Sequence, residues 1–137
     1  RKEADSHARQ LVAEAHALDV VSRLLSQRVA TGIATGAMPG PAGAIMRLFA
    51  GMAHVRRSDI ALELGGGGAG AWTEGAPSGS YAEFFLSRQG FCLGGGSTEM
   101  QRNIISERVL DMPREPSPDR ELPFGQVRRN AMPRHGG

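Results

Sequence analysis

The sequence predicts an all-α protein, a four-helix bundle with an extended C-terminal tail. Four segments repeat apolar residues at spacings of three and four, as one face of a helix does. No segment alternates apolar and polar residues for long enough to predict a strand in a sheet. Glycine and proline separate the four segments. We expect residues 1–112 to form a helical-bundle domain that lacks its first part, and residues 113–137 to form the tail.

The first predicted helix covers residues 4–34. Its apolar residues recur at intervals of three, four and seven positions, and they are Leu11, Ala15, Leu18, Leu25 and Val29. Three further residues widen this apolar stripe, namely Val12, Val21 and Leu24. Because a long helix with one apolar side gains most of its stability from packing, we expect other helices to cover the stripe. The first residue is not methionine and the helix starts almost at once, so we expect a longer polypeptide.

The second helix is predicted over residues 41–64. Pro41 suits its first turn, because the missing N–H needs no partner there. Residues 65–70 contain five glycines, each of which costs about 1 kcal/mol inside a helix. We therefore expect this run to end the second helix and to form no helix itself.

A short third helix is predicted over residues 81–91 and a fourth over residues 98–111, with a glycine turn at 94–96 between them. Thr98 and Gln101 have the T-x-x-Q spacing of a capping box, in which each side chain bonds the other residue's backbone N–H. This spacing predicts that the fourth helix is capped by Thr98.

The composition excludes several classes of protein. Sixteen Lys and Arg residues against fourteen Asp and Glu leave a net charge of +2, which is too balanced for a dedicated nucleic-acid binder. No run of about 18 apolar residues exists, so we expect no membrane span. One cysteine, Cys92, allows neither an internal disulfide nor a cysteine-rich zinc site, and it favours the cytoplasm. The histidines lack the spacing of a metal site, so we expect no metal, with His7, His16 and His54 facing solvent.

Two glycine clusters, at residues 65–70 and 94–96, lie at helix ends. Glycine backbone can approach a flat or phosphorylated ligand closely. The start of the fourth helix also presents N–H groups with a partial positive charge, which suits an anion. Two tight turns in a helical bundle explain the same glycines equally well. Neither cluster has the G-x-G-x-x-G spacing between a strand and a helix, which argues against a Rossmann dinucleotide site.

Residues 94–110 read G-G-G-S-T-E-M-Q-R-N-I-I-S-E-R-V-L. They resemble the C-terminal signature of the acyl-CoA dehydrogenase family, G-G-T-S-E-I-Q-R-N-I-I-A-E-R-V-L. The order of the preceding parts is also similar to that family's C-terminal helical domain: a long helix, a Pro-Gly-Pro break, a second helix and a glycine turn. The resemblance implies that the chain corresponds to about the last third of a full-length member.

The resemblance implies an FAD-dependent oxidoreductase of lipid degradation that converts an acyl-CoA to a trans-2-enoyl-CoA. Its electrons would pass to an electron-transfer flavoprotein, and the fragment alone would be inactive. The enzyme would be a homo- or hetero-oligomer, a dimer or tetramer. Two groups of residues fall at FAD-contacting positions of the family, namely Ser97, Thr98 and Glu99, and Glu63, Leu64, Gly65, Gly66 and Gly67. The second group matches a Q-x-x-G-G motif that reaches the FAD of the dimer partner, but here no Gln is present.

The resemblance also locates the position of the catalytic base. Many members carry a glutamate where this chain has Gly95, so no catalytic residue is assigned here. The base would lie on an upstream helix or on a partner subunit. Gly94, Gly95 and Gly96 would line the substrate and leave space for a bulky acyl group. Two alternatives remain: a base-less, non-catalytic subunit that acts as a scaffold in a heteromeric acyl-CoA dehydrogenase, and an unrelated helical interaction module.

Overall fold

The computed structural model describes residues 6–70, 79–114, 116–117 and 119–127, and most of them are helical. The α-helices are α1 (Ser6–Ala34), α2 (Gly43–Gly65), α3 (Gly67–Gly70), α4 (Gly79–Ser87) and α5 (Thr98–Arg108). Short 3₁₀ turns occupy Gly40–Ala42, Arg88–Cys92 and Phe124–Gln126. No strand occurs among the described residues. The all-α prediction is confirmed, and α3 is a single helical turn in addition to the four predicted helices.

Helix α2 lies at the centre of the fold. It packs against α1, α4, α5 and the 3₁₀ turn at Arg88–Cys92. The buried apolar side chains are small, and most are alanines: Leu11, Val29, Ala42, Ala44, Ala53, Ile60, Ala69 and Ala82. Since the distance between packed helices depends on the side chains at the contact, these small residues allow a close approach to α2.

Charged side chains bind α1 to α2. Arg56 donates through Nε and Nη2 to both carboxylate oxygens of Glu14, at 2.6 and 2.7 Å. This hydrogen bonding by Arg56 lowers the pKa of Glu14 below its usual range. Arg57 Nη1 lies 3.4 Å from Asp19 Oδ1, one turn further along α1. The pairs fix the register of the two helices, because each requires one particular alignment.

The glycine run after α2 differs from the prediction. Gly65 is still part of α2, and Gly67–Gly70 form the extra helical turn α3. The break is confined to Gly66, whose φ of +61° is a conformation that glycine adopts readily. Ala69 on α3 is fully buried, and a Cβ at Gly65 would overlap its Cβ. Tertiary packing of Ala69 therefore outweighs the low helix propensity of the glycines.

Helix α5 ends earlier than predicted, at Arg108 rather than at residue 111. The chain then turns, with Met112 N donating to Ser106 O at 2.9 Å. Asp111 has a φ of +53°, in the left-handed region. Arg114 returns to α5 and bonds Glu107 at 2.9 Å. The boundary between the helical-bundle domain and the C-terminal tail, placed between residues 112 and 113, stays a prediction.

Several apolar residues of α1 are solvent-exposed. Val12 is 56% exposed, Val21 46% and Leu24 57%. The sequence predicted that they widen the buried stripe, but none of the described helices covers them.

None of the described helices is both long and apolar enough to cross a bilayer.

His54 on α2 is buried, which contradicts the predicted solvent-facing position. Its ring stacks on Phe91 at 3.7 Å and meets the edge of Phe84 at 4.5 Å between centroids. Its Nε2 atom is buried and has no hydrogen-bond partner among the described residues. Burial, with a smaller contribution from the charge of Arg57, lowers the pKa of His54. The two aromatic rings come from segments after the second helix, so periodicity within α2 does not reveal them.

We predict that His54 makes stability depend on pH. Since its pKa is lower in the folded than in the unfolded state, the unfolded chain binds the proton more readily. The free energy of unfolding therefore contains the full contribution of neutral His54 above the ordinary histidine pKa of 6.5. This contribution decreases as the pH falls below that value. Urea unfolding at several values from about pH 7 to about pH 5 measures this slope. His54→Leu should flatten the slope, whereas exposed His16→Gln should leave it unchanged; equal slopes in all three proteins would contradict the prediction.

Candidate functional site

The turn before α5 has a backbone that requires glycine. Gly95 has a φ of +76° and Gly96 a φ of +103°, both in the region that residues with a Cβ rarely adopt. Gly94 N donates to Gly90 O at 3.1 Å, and Gly96 N donates to Leu93 O at 3.2 Å. The tight-turn interpretation therefore explains two of the three glycines without reference to a ligand.

Helix α5 is capped by Ser97 rather than by Thr98. Ser97 has an extended backbone, and its Oγ accepts a hydrogen bond from Met100 N at 3.3 Å. The predicted Thr98–Gln101 capping box is therefore wrong by one residue. Thr98 is the first residue inside the helix, and the Gln101 side chain bonds Gly95 and Gly96 rather than the backbone N–H of the cap.

Gln101 instead anchors the turn. Its side chain is only 5% exposed, and its Nε2 donates to Gly95 O at 2.8 Å and to Gly96 O at 3.3 Å. A Cβ at Gly96 would lie 2.8 Å from the same nitrogen. Gly96 is thus required by the packing of Gln101 as well as by its own backbone angle.

Arg47 of α2 holds the turn from the other side. Its Nη2 donates to Phe91 O at 2.6 Å and also to Gly94 O. A Cβ at Gly94 would lie 3.2 Å from Nη2, and one at Gly95 would lie 3.5 Å from Nε. Periodicity within α2 does not reveal this contact, because the two carbonyls lie more than 40 residues away in the chain.

Little space remains on the inner side of the glycine turn. The cavity there measures about 10 Å³, close to the minimum for one water molecule. Its lining includes Arg47, Cys92, Gly96, Thr98 and Gln101. A larger cleft of about 210 Å³ shares Arg47 and Phe91 with this cavity and is also lined by Ser87, Gly90 and Gly94. A ligand larger than a water molecule therefore has no room on this inner side.

Glu99 supplies a negative charge at the start of α5. Its carboxylate accepts hydrogen bonds from its own backbone N–H and from the Ser97 hydroxyl, and Arg102 lies near it. These contacts, the backbone one foremost, lower the pKa of Glu99, so it stays ionised at neutral pH. The predicted anion site already contains the chain's own carboxylate. A second anion would be repelled there, whereas a hydroxyl or amine donor would be attracted.

The second predicted group lies at the opposite end of α2. Arg47 and Glu63 are sixteen residues apart in this helix, about 24 Å at 1.5 Å per residue. Glu63 Oε1 contacts His7 Nε2 at 2.6 Å, and both side chains are exposed. The chain therefore brings Gly94–Gly96 and Ser97–Glu99 together in one turn but keeps Glu63–Gly67 apart from them. Among the described residues, no group of three His, Cys, Asp or Glu side chains could hold a metal ion.

Residues 4–110 match the family described as acyl-CoA dehydrogenase, C-terminal domain. The chain belongs to this family. The match covers most of the chain and confirms the resemblance stated from residues 94–110. No curated protein and no solved structure matched the chain.

In this acyl-CoA dehydrogenase domain, the family signature and the best-anchored turn coincide. Residues 94–110 include the glycine turn, the cap and the whole of α5. Cys92, immediately before the turn, is half-buried.

We predict that the cap contributes to stability through Ser97 alone. Ser97→Ala should lower the free energy of unfolding by about 1 kcal/mol, because Met100 N loses its acceptor. Thr98→Ala should change it by less than about 0.5 kcal/mol, because Thr98 is not the cap. Urea unfolding followed by circular dichroism measures both values. If Thr98→Ala lowers the free energy of unfolding more than Ser97→Ala does, the prediction is contradicted and the Thr98–Gln101 capping box is supported.

Proposed function

We propose that this chain supplies FAD-binding and subunit-contact elements to a cytoplasmic acyl-CoA dehydrogenase. The complete enzyme would oxidise an acyl-CoA thioester to a trans-2-enoyl-CoA and pass its electrons to an electron-transfer flavoprotein. The observation that supports this most is the anchored turn before α5. It lies in the family signature and is held from inside by Arg47 and Gln101, which leaves the start of α5 accessible.

The residues at the start of α5 suit the adenosine half of FAD. Ser97 and Thr98 carry hydroxyl groups, and Glu99 carries an ionised carboxylate that accepts hydrogen bonds. Ribose hydroxyls and the adenine amino group are donors and would match such an acceptor. The pyrophosphate is an anion and would not. We therefore propose that Ser97, Thr98 and Glu99 contact the ribose and adenine, and that the phosphates bind elsewhere.

The Glu63–Gly67 segment is proposed to contact the FAD of a partner subunit. It is exposed and lies at the end of α2 remote from the first group, so it could reach a different cofactor molecule. Its glycines Gly65, Gly66 and Gly67 permit close approach of a flat ligand to the backbone. The exposed Val12, Val21 and Leu24 of α1 support subunit contact, because isolated apolar surface is stabilised by burial.

The substrate would pass the outer side of Gly94, Gly95 and Gly96. Their Cβ sides face Arg47 and Gln101, so the missing side chains accommodate this protein's own groups. When bound, FAD would supply the acceptor for the β-hydride of the acyl group. Gly95 cannot accept the α-proton. Glu99 is a poor base because hydrogen bonding lowers its pKa, and we propose that the base lies outside this chain's described residues.

The decisive experiment is anaerobic reduction of the complete polypeptide by acyl-CoA. We expect the purified protein to retain FAD and its flavin absorbance to bleach when an acyl-CoA of suitable chain is added. If the protein retains flavin but no acyl-CoA in a broad panel reduces it, the scaffold alternative is favoured. Gly95, at the position where many members carry the base, gives specific support to that alternative. Protein that never retains FAD would contradict both.

A charge-removing variant tests which part of FAD lies at α5. Glu99→Gln should weaken FAD binding several-fold, because a hydrogen bond to a carboxylate is roughly twice as strong as one to a neutral amide. Fluorescence titration of the apoprotein with FAD measures the dissociation constant. Exposed Glu83→Gln on α4 is the control for loss of one negative charge. Tighter FAD binding by Glu99→Gln would instead place the pyrophosphate at this helix.

A further inference from the structure

We infer that Arg47 is a positioning residue that shapes the flavin-contacting turn. The inference rests on the proposed function, because the turn is assigned to FAD there. Arg47 lies near the start of α2, and its guanidinium crosses to the segment between α4 and α5. It is therefore the side chain that connects the central helix of the fold to the turn.

The contacts determine which way the peptide units of the turn point. Arg47 binds the carbonyls of Phe91 and Gly94, and Gln101 binds those of Gly95 and Gly96. In a planar trans peptide the C=O and the following N–H point in opposite directions. Because the Gly94 carbonyl is drawn inward, the N–H of Gly95 is directed outward. By the same reasoning, the Gly96 carbonyl bound by Gln101 directs the Ser97 N–H outward, whereas the Gly96 N–H donates to Leu93 O at 3.2 Å within the turn.

Gln101 and Arg47 differ in their effect on the position of the turn. Gln101 is part of α5, so it moves with the turn and cannot set the position of α5 relative to the rest of the protein. Arg47 belongs to α2, and hydrogen bonds from its charged guanidinium are stronger than those between neutral groups. Arg47 forms no ion pair with an acidic side chain among the described residues. Its donors are thus directed to the turn rather than to a carboxylate.

Arg56 provides a matched comparison within the same helix. It also makes two short hydrogen bonds across a helix contact, but its partner is Glu14 on α1. Loss of Arg56 removes a structural interaction of similar kind without touching the turn. If the role of Arg47 were purely structural, Arg47→Ala and Arg56→Ala would therefore change FAD binding to the same extent.

The experiment compares Arg47→Ala with Arg56→Ala in the complete polypeptide. We expect Arg47→Ala to bind FAD about tenfold more weakly, equivalent to about 1.4 kcal/mol, and Arg56→Ala to bind it normally. Amide hydrogen exchange of the flavin-free protein should be faster at Gly94 and Gly96, whose N–H groups are hydrogen-bonded within the turn, in Arg47→Ala only. Millimolar guanidinium chloride should partly restore FAD binding to Arg47→Ala, whereas sodium chloride at equal ionic strength should not.

Several results would overturn the inference. These are wild-type FAD affinity in Arg47→Ala, an equal loss in Arg56→Ala, or no restoration by guanidinium. If Arg47→Ala is recovered unfolded, Arg47→Gln replaces it, because glutamine favours helix but ends short of the Nη2 position; unchanged FAD affinity there would again overturn it. If wild-type protein retains no FAD, the proposed function fails. Exchange at Gly94 and Gly96 then decides alone: faster exchange in Arg47→Ala supports Arg47 as a residue that holds the turn, and unchanged exchange overturns the inference.

Discussion

The position of the last helix depends on how the backbone carbonyls of the preceding turn are bound. Four backbone carbonyls, at residues 91, 94, 95 and 96, accept hydrogen bonds from side chains, and a shielded carbonyl that lost its donor would cost stability. Arg47 and Gln101 supply these donors from two different helices. Because α2 also contacts α1 and α4, this arrangement connects the turn to the whole helical domain.

The same arrangement limits what the turn can bind. Its inner side is filled by Arg47 and Gln101, and the start of α5 carries the ionised Glu99. A ligand therefore meets an outer surface that offers hydroxyls, outward N–H groups and one negative charge. This surface is better suited to the sugar and base of a dinucleotide than to its phosphates. We propose that this surface binds and orients a ligand, and Gly95 offers no side chain that could transfer a proton.

Tertiary contacts explain where prediction from sequence was wrong. His54 has a polar side chain on an amphipathic helix, yet Phe84 and Phe91 enclose it from segments that lie much later in the chain. The glycines after α2 have low helix propensity, yet the burial of Ala69 stabilises one further helical turn. Thr98 and Gln101 have capping-box spacing, but the Gln101 side chain donates to the carbonyls of Gly95 and Gly96 instead.

The sequence by itself determined the all-α class, the approximate helix boundaries and the family, because helical periodicity, glycine breaks and the signature at residues 94–110 are local patterns. It also located Ser97, Thr98 and Glu99 at the start of α5. Only the tertiary structure decided that Ser97 is the cap, that Glu99 is held by its own backbone, and that Arg47 reaches the turn. These features depend on hydrogen bonds between residues distant in the chain or on the exact direction of a backbone group, and residue spacing does not encode either.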